Sequence, residues 1–191
     1  MDSVFDENWA RKWLNFKGWL ETVAGAEDFS RAAKAVAAYV NIPSKGILIT
    51  GKVGCGKTML ADILYGYLKT QKVRIDCSDN SDVDSLVPEC DAAMNGGNWS
   101  SAADDYFDGT VMIDDVGREE VRNCYGNRLD RVGNFIARYV LRGKGRLIIT
   151  TNMSANDISS KYDDRILDRI MDRCIVLHLL GGSKRNRNVI A

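Results

Sequence analysis

GILITGKVGCGKT, residues 46–58, is the stretch that decides the fold. A short apolar run, which predicts a buried strand, enters a glycine-rich turn and leaves it through Lys57 and Thr58 into a helical pattern. The turn matches G-x-x-x-x-G-K-[ST], in which the glycines allow successive N–H groups to point inward at a phosphate. The positive end of the following helix dipole is directed at the same point. The alternative is an ordinary glycine turn between a strand and a helix.

Strands and helices alternate along the rest of the chain. Strands are predicted at 46–50, 72–76, 110–114, 145–151 and 174–180, and helices at 57–70, 82–93, 127–142 and 154–173, the last with a break. The region 95–109 reads as a loop. This alternation predicts an α/β domain with a parallel sheet that helices cover on both faces.

The N-terminal region is predicted to be helical at 7–24 and again at 28–40. An apolar stripe at helical spacing in the first of these helices consists of Trp9, Trp13, Phe16, Leu20 and Val23. The stripe is either a docking surface for another protein or a face packed on the domain's own core.

Composition sets limits on the class of protein. The chain has 191 residues, which is enough for one α/β domain, and its 26 Lys and Arg balance its 26 Asp and Glu. Zero net charge means that any contact with nucleic acid must be a local patch.

The sequence has no apolar run long enough for a membrane helix and no secretion signal at its start, so we expect a cytoplasmic protein. The five scattered cysteines predict free thiols, and His178 is predicted to be a core residue.

Polar residues follow two further predicted strands. TVMIDDVG, residues 110–117, ends in Asp114 and Asp115, and GRLIITTNM, residues 145–153, ends near Asn152. Because ligands gather at the carboxyl ends of parallel strands, we expect Asp114 to lie near Thr58 and to bind Mg²⁺ with it. Asp115 is then placed to orient an attacking water, and Asn152 to contact the γ-phosphate or that water. Helix-capping and turn-forming roles are the alternatives.

Three arginines are spaced four residues apart in YDDRILDRIMDRC, residues 162–174. On a helix, Arg165, Arg169 and Arg173 form one ridge. One of them is a candidate finger that stabilises charge on a neighbouring subunit's γ-phosphate. The alternative is a solvated face that the intervening aspartates neutralise.

Together, these segments resemble the AAA+ ATPases and, within them, the DnaC/DnaI-type helicase loaders and the related IstB-type transposition ATPases. GKVGCGKT resembles their phosphate loop, TVMIDDVG their aspartate strand, LIITTNM their sensor-1 strand and YDDRILDRIMDR their box VII segment. The ending GGSKR is similar to the G-x-S-x-R ending of the loaders. The resemblance covers roughly residues 28–187 and depends on the order and spacing of the segments.

The resemblance implies a three-layer P-loop AAA+ sandwich with a five-stranded parallel sheet of order 5-1-4-3-2 and no C-terminal helical lid. It implies an N-terminal helical segment at 1–41 that is a candidate docking element, an ATPase core at 42–181 and a basic flexible tail at 182–191. The residues expected to bind ATP or ADP are Gly51, Val53, Gly54, Cys55, Gly56, Lys57, Thr58 and Met59.

The activity that the resemblance implies is ATP hydrolysis with Mg²⁺, by catalytic residues Asp115, Asn152, Arg165 and Arg169. Hydrolysis is expected to be slow or to need a partner, because Asp115 is one methylene shorter than the Glu that hydrolysing relatives often carry. The implied role is that of a homo-oligomer that loads or remodels a replicative helicase on single-stranded DNA. Three alternatives remain open: an IstB-like transposition ATPase, a nucleotide-gated adaptor, and a small P-loop kinase of metabolites or nucleotides.

Overall fold

The computed structural model of the chain describes residues 5–70, 72–84, 109–120, 122–124 and 127–183. The helices in these ranges are α1 (Glu7–Phe16), α2 (Glu21–Ala24), α3 (Ala26–Asn41), α4 (Lys57–Tyr67), α5 (Asn80–Asp84), α6 (Arg131–Arg142), α7 (Ala155–Tyr162) and α8 (Asp164–Arg173). The strands are β1 (Gly46–Gly51), β2 (Lys72–Asp76), β3 (Thr110–Val116), β4 (Arg122–Cys124), β5 (Asn127–Leu129), β6 (Leu147–Thr151) and β7 (Cys174–Leu179).

Five of these strands form one parallel sheet in the order β2-β3-β6-β1-β7, and β4 and β5 form a separate antiparallel pair. Counted among the five predicted core strands and read from the β7 edge, this order is 5-1-4-3-2, which confirms the expected AAA+ topology. The strand that carries Asn152 at its end, β6, lies between β1 and β3. The carboxyl ends of the three motif-bearing strands therefore meet at one edge of the sheet.

Helices cover both faces of the sheet, as predicted. On one face α1, α3 and α4 pack on side chains such as Ile47, Ile49 and Ile148. On the other face α5, α6, α7 and α8 pack on the alternate residues of the same strands, such as Leu48 and Ile149. The result is a three-layer sandwich with a hydrophobic core on each side of the sheet. Among the described helices, none is both long and apolar enough to cross a membrane.

The N-terminal segment packs on this core by a face that includes only part of the predicted stripe. The predicted single helix is broken into α1 and α2, and the chain turns between them at Gly18, whose φ is +87°. Leu14 and Trp19 are buried, Trp9 and Trp13 are half-buried and stacked, and Phe16 is 83% exposed. Because α1 ends at Phe16 and the turn redirects the chain, the apolar spacing does not continue as one stripe.

Several other predicted elements differ in their ends. The helix predicted at 57–70 ends at Tyr67, because Leu68 has an extended backbone. Residues 127–129, predicted as helix, pair instead with 122–124 as a β-hairpin. The predicted break within 154–173 is confirmed at Asp163, whose φ is +103°. The predicted elements at 85–93 and 95–108, and the basic residues of the tail from 184 onward, lie outside the described residues.

The prediction for His178 was wrong. Its side chain is exposed, because β7 is the edge strand of the sheet, although Nδ1 does lie 2.7 Å from the Thr50 hydroxyl. Cys55, Cys77 and Cys174 are buried free thiols, as predicted. Burial raises the pKa of the Cys174 thiol to about 12, so this thiol is un-ionised at neutral pH.

Candidate functional site

The predicted phosphate loop connects β1 to α4. Gly54 and Gly56 have φ values of +81° and +97°, a conformation that a residue with a Cβ adopts only with strain. Gly56 is also the N-cap of α4, and it has no side chain that could bond the first N–H groups of the helix. These N–H groups therefore remain available to an anion, as they do at other helix N-termini that bind phosphate.

A cleft of about 640 Å³ opens above this loop at the carboxyl edge of the sheet. Its lining residues are Val53, Gly54, Gly56, Lys57, Thr58, Met59, Asp115, Arg118 and Asn152. The cleft thus brings together six of the eight predicted nucleotide-binding residues with two predicted catalytic residues. The remaining two, Gly51 and Cys55, are buried behind the loop. A cleft of this volume is ordinary for a small-molecule ligand.

Lys57 and Asn152 are joined directly in this cleft. Lys57 Nζ donates a hydrogen bond to Asn152 Oδ1 at 2.6 Å and another to the carbonyl of Lys52 at 2.9 Å. Lys57 is only 5% exposed, so its ammonium is held in a fixed place at the base of the cleft. The end of β6 thereby contributes a polar side chain to the phosphate loop of β1, which lies beside it in the sheet.

Asp114 lies beside Thr58 of the phosphate loop, as expected. Its Oδ1 accepts hydrogen bonds from the hydroxyls of Thr58 at 3.1 Å and of Thr150 at 2.5 Å. Asp114 is only 4% exposed, and Arg74 provides a cation 3.1 Å from Oδ2. One carboxylate and one hydroxyl, both oxygen ligands beside a phosphate site, fit Mg²⁺, which prefers oxygen and is commonly completed by substrate phosphates. Thr58 and Asp114 are therefore the residues that would hold the ion.

Asp115 occupies a bulge between β3 and β6. The register shifts between Ile113 and Val116, and Asp115 has a φ of +54°, which is uncommon for a residue with a side chain. Thr150 stabilises this conformation by accepting a hydrogen bond from the Asp115 N–H at 2.9 Å. The bulge turns the Asp115 carboxylate toward the cleft, where Arg118 Nη1 lies 3.1 Å away.

Glu119 stands among charged residues in the sequence, which favours a solvated loop, but the structure buries it. It is 7% exposed, and its carboxylate accepts hydrogen bonds from the Gly117 N–H at 2.9 Å and from the Tyr162 hydroxyl. Lys161 lies 2.8 Å away as its counter-charge. Burial, with the adjacent Glu119 carboxylate, raises the pKa of Tyr162. Glu119 thus ties the loop after Asp115 to the end of α7.

The three ridge arginines lie on α8 and do not line the cleft of their own chain. The Arg165 side chain is 82% exposed and pairs with Asp163 at 3.0 Å. Arg173 is held within its own chain, because Nη2 donates to the carbonyls of Gly143 at 2.9 Å and Gly145 at 3.3 Å. Arg165 is therefore accessible to another molecule although it is paired with Asp163, whereas Arg173 supports the fold. Arg169 is half-buried.

Sequence reasoning missed Thr150, Arg74 and Arg118 as residues of this site. Thr150 stood in a quoted motif, but only the strand pairing of β3 with β6 shows that it bonds both Asp114 and the Asp115 backbone. Arg74 carried no strong signal, because it lies on the edge strand β2 and its side chain is 41% exposed. Arg118 carried no signal beyond its position three residues after Asp115.

The strand order, the glycine loop at the N-terminus of α4 and the oxygen ligands on neighbouring strands define a P-loop ATPase fold of the AAA+ class. Residues 17–190 match the model of the IstB-like ATP binding protein family. The chain belongs to this family, a DnaC/IstB-type branch of the AAA+ ATPases. The comparison with curated proteins gave no significant match.

Solved structures with a similar fold include replication proteins. The crystal structure of the DnaC helicase loader is 18% identical with a TM-score of 0.55, and the match covers 80% of this chain and 90% of that one. AMPPCP-bound DnaA from Aquifex aeolicus is 17% identical with a TM-score of 0.54, over 79% of this chain and 46% of that one. DnaA bound to AMPPCP and single-stranded DNA is 16% identical with a TM-score of 0.55, over 81% of this chain and 47% of that one. The chain thus spans about half of the DnaA chains, and these similarities show the fold.

Proposed function

We propose that this protein binds ATP with Mg²⁺ in the cleft above the phosphate loop and hydrolyses it slowly. The observation that carries the proposal is the convergence of Lys57, Thr58, Asp114, Asp115 and Asn152 at one edge of the sheet. The glycine loop and Lys57 bind the phosphates, and Thr58 with Asp114 holds the ion, which polarises the γ-phosphate when bound. Asp115 orients the attacking water and accepts its proton.

The proposed biological role is that of a self-assembling ATPase that loads or remodels a replicative helicase or a transposition complex on single-stranded DNA. Membership of the IstB-like family and the DnaC-like fold support this class of role. Arg165 is exposed and lies outside its own cleft, so an action of Arg165 on nucleotide requires a neighbouring subunit's site. Arg169 is the second candidate for the same position.

The test measures mass in solution and ATPase rate together, without nucleotide, with ATP and Mg²⁺, and with single-stranded DNA added. Arg165→Ala and Arg169→Ala are compared with Lys69→Ala, which removes an exposed charge elsewhere on the surface. We expect ATP or DNA to drive assembly and one arginine variant to lose hydrolysis while it still binds ATP. A protein that stays monomeric in every condition, with both arginine variants equal to wild type, contradicts the assembly proposal.

One observation favours a nucleotide-gated adaptor as the second candidate. Arg118 pairs with Asp115 at 3.1 Å, so the carboxylate proposed to activate water is already engaged by a cation. ATP-dependent assembly without measurable ATP turnover, in the presence of DNA and partner, would support the adaptor.

A further inference from the structure

Arg74, on the second strand of the sheet, connects two carboxylates beside the proposed magnesium site. Its Nη2 lies 3.1 Å from Asp114 Oδ2, and its Nη1 lies 2.7 Å from Asp62 Oδ1. Asp62 is on α4, four residues after Thr58, so it faces the same side of that helix. The guanidinium therefore lies between the proposed metal ligand and a second acid that faces it.

The contacts of Asp114 leave little room for another cation. Its Oδ1 accepts hydrogen bonds from two hydroxyls, those of Thr58 and Thr150, and its Oδ2 accepts one from Arg74. A divalent ion that binds beside Thr58 must share one of these oxygens and lie close to the guanidinium. Two positive charges at this separation repel each other, and water screens only part of the repulsion, because Asp114 is buried although the Arg74 side chain is 41% exposed.

Asp62 has Arg74 as its counter-charge. Burial raises the pKa of Asp62, the nearby charge of Asp114 raises it further, and Arg74 opposes both effects. Without the guanidinium, two carboxylates would face each other with no cation between them. Such a pair attracts a divalent ion more strongly than Asp114 does alone beside a guanidinium.

We propose that Arg74 is a positioning residue that neutralises and orients Asp114 before the metal arrives and thereby limits the affinity of the site for divalent cations. This inference rests on the proposed magnesium site at Thr58 and Asp114. Arg74 holds Asp114 Oδ2 while Oδ1 faces the Thr58 hydroxyl in the metal-free protein. The ion pair between Arg74 and Asp114 then weakens when the ion binds together with the nucleotide. Metal binding therefore depends on the phosphates.

The test measures Mn²⁺ binding to the full chain by electron paramagnetic resonance, with and without ADP, in wild type, Arg74→Gln and Arg74→Lys. We expect Arg74→Gln to bind Mn²⁺ roughly tenfold more tightly, since removal of one nearby charge changes ion binding by about one pK unit or more. Arg74→Lys keeps the charge and should remain close to wild type. Equal or weaker Mn²⁺ binding by Arg74→Gln would overturn the inference.

A second measurement keeps the inference testable if Arg74→Gln does not fold. In the wild-type protein, the guanidinium N–H signal of Arg74, assigned by its loss in Arg74→Lys, should shift when Mg²⁺ is added to the ADP complex. A signal that does not move contradicts the proposed release of Asp114. Asp114→Asn distinguishes failure of the proposed magnesium site from failure of the proposed role of Arg74. If Asp114→Asn leaves Mn²⁺ binding intact, the magnesium site is not at Asp114. If Asp114→Asn loses Mn²⁺ binding while Arg74→Gln binds as wild type does, only the role of Arg74 is rejected.

Discussion

Lys57 Nζ lies 2.6 Å from Asn152 Oδ1, which joins the phosphate loop to the end of a strand 95 positions further along the chain. The contact puts the amide at the place where the lysine would meet a terminal phosphate. In the proposed ATP complex, the lysine would exchange its bond to Asn152 for bonds to phosphate oxygens.

The first prediction concerns Asn152. Asn152→Ala should lower the ATPase rate by about 100-fold, the usual effect of removing one well-placed donor at a reacting centre. ATP affinity should change little, since the loop N–H groups and Lys57 remain. Single-turnover hydrolysis and fluorescent-nucleotide binding measure the two quantities. Lys57→Ala is the contrasting variant, in which ATP binding itself should be lost. If Asn152→Ala and Lys57→Ala lose ATP binding equally, Asn152 acts in binding and not in hydrolysis.

The second prediction concerns Asp115. Asp115→Asn should reduce hydrolysis by about 100-fold or more, because the amide cannot accept the proton of the attacking water. Glu120→Gln is the matched control, since it removes one negative charge from the same loop at an exposed position. Isothermal titration should show ATP binding retained in both variants. If both lose hydrolysis alike, the cause is the charge of the loop and not general-base action by Asp115.

The third prediction concerns the pH dependence of stability through Asp28. Burial alone would raise its pKa, but hydrogen bonds from the Leu180 and Gly181 N–H groups, together with Arg31, hold the pKa below the ordinary value of 3.8. A lowered pKa in the folded state contributes stability that is present above the unfolded value and is lost as the pH falls through the folded value. Asp28→Asn should therefore cost about 2 kcal/mol at neutral pH.

The difference between wild type and Asp28→Asn should shrink below about pH 4, where the aspartate also becomes protonated on unfolding. Denaturant unfolding at a series of pH values measures it. Asp168→Asn, at an exposed position on α8, should show no comparable effect. A difference that stays constant from neutral to acid pH would mean that the carboxylate charge is not the source of the stability.

The fourth prediction compares two neighbouring residues of α1. Leu14 is fully buried, and Leu14→Ala should lower the free energy of unfolding by about 3 kcal/mol. Phe16 is 83% exposed, and Phe16→Ala should change the free energy of unfolding by no more than about 0.5 kcal/mol. If the N-terminal segment docks a client, Phe16→Ala should weaken that complex without altering the melting temperature. A large loss of stability in Phe16→Ala would refute the exposed placement.

The residues of the site that could be predicted from the sequence lie in continuous sequence motifs. The phosphate loop, Asp114 with Asp115, and Asn152 each follow an apolar run that forms a buried strand, and the ends of parallel strands meet at one edge of a sheet. The strand order itself came from the family resemblance, because alternation predicts a parallel sheet without ordering its strands.

The parts that were missed depend on contacts between distant segments. Glu119 looked solvated because its neighbours in the sequence are polar, yet Lys161 and Tyr162 enclose it from another helix. Phe16 was grouped with Trp9 and Trp13 in one stripe because its spacing continues theirs, yet the helix ends there and Phe16 is exposed. His178 looked buried because strand-like residues surround it, yet its strand lies at the edge of the sheet. In each case, tertiary packing overrides the local pattern.

The strand order also has a consequence for how the chain folds as it leaves the ribosome. β1 lies between β6 and β7, and its residue Thr50 bonds His178, which is 128 positions later. At a synthesis rate of roughly 5–20 residues per second, β1 is synthesised about 6–26 s before β7, its last partner strand. The glycines after it have no sheet to hold their left-handed turns during that time. The nascent chain therefore acquires its nucleotide-binding loop among the last of its features, although the loop is encoded in the first third of the sequence.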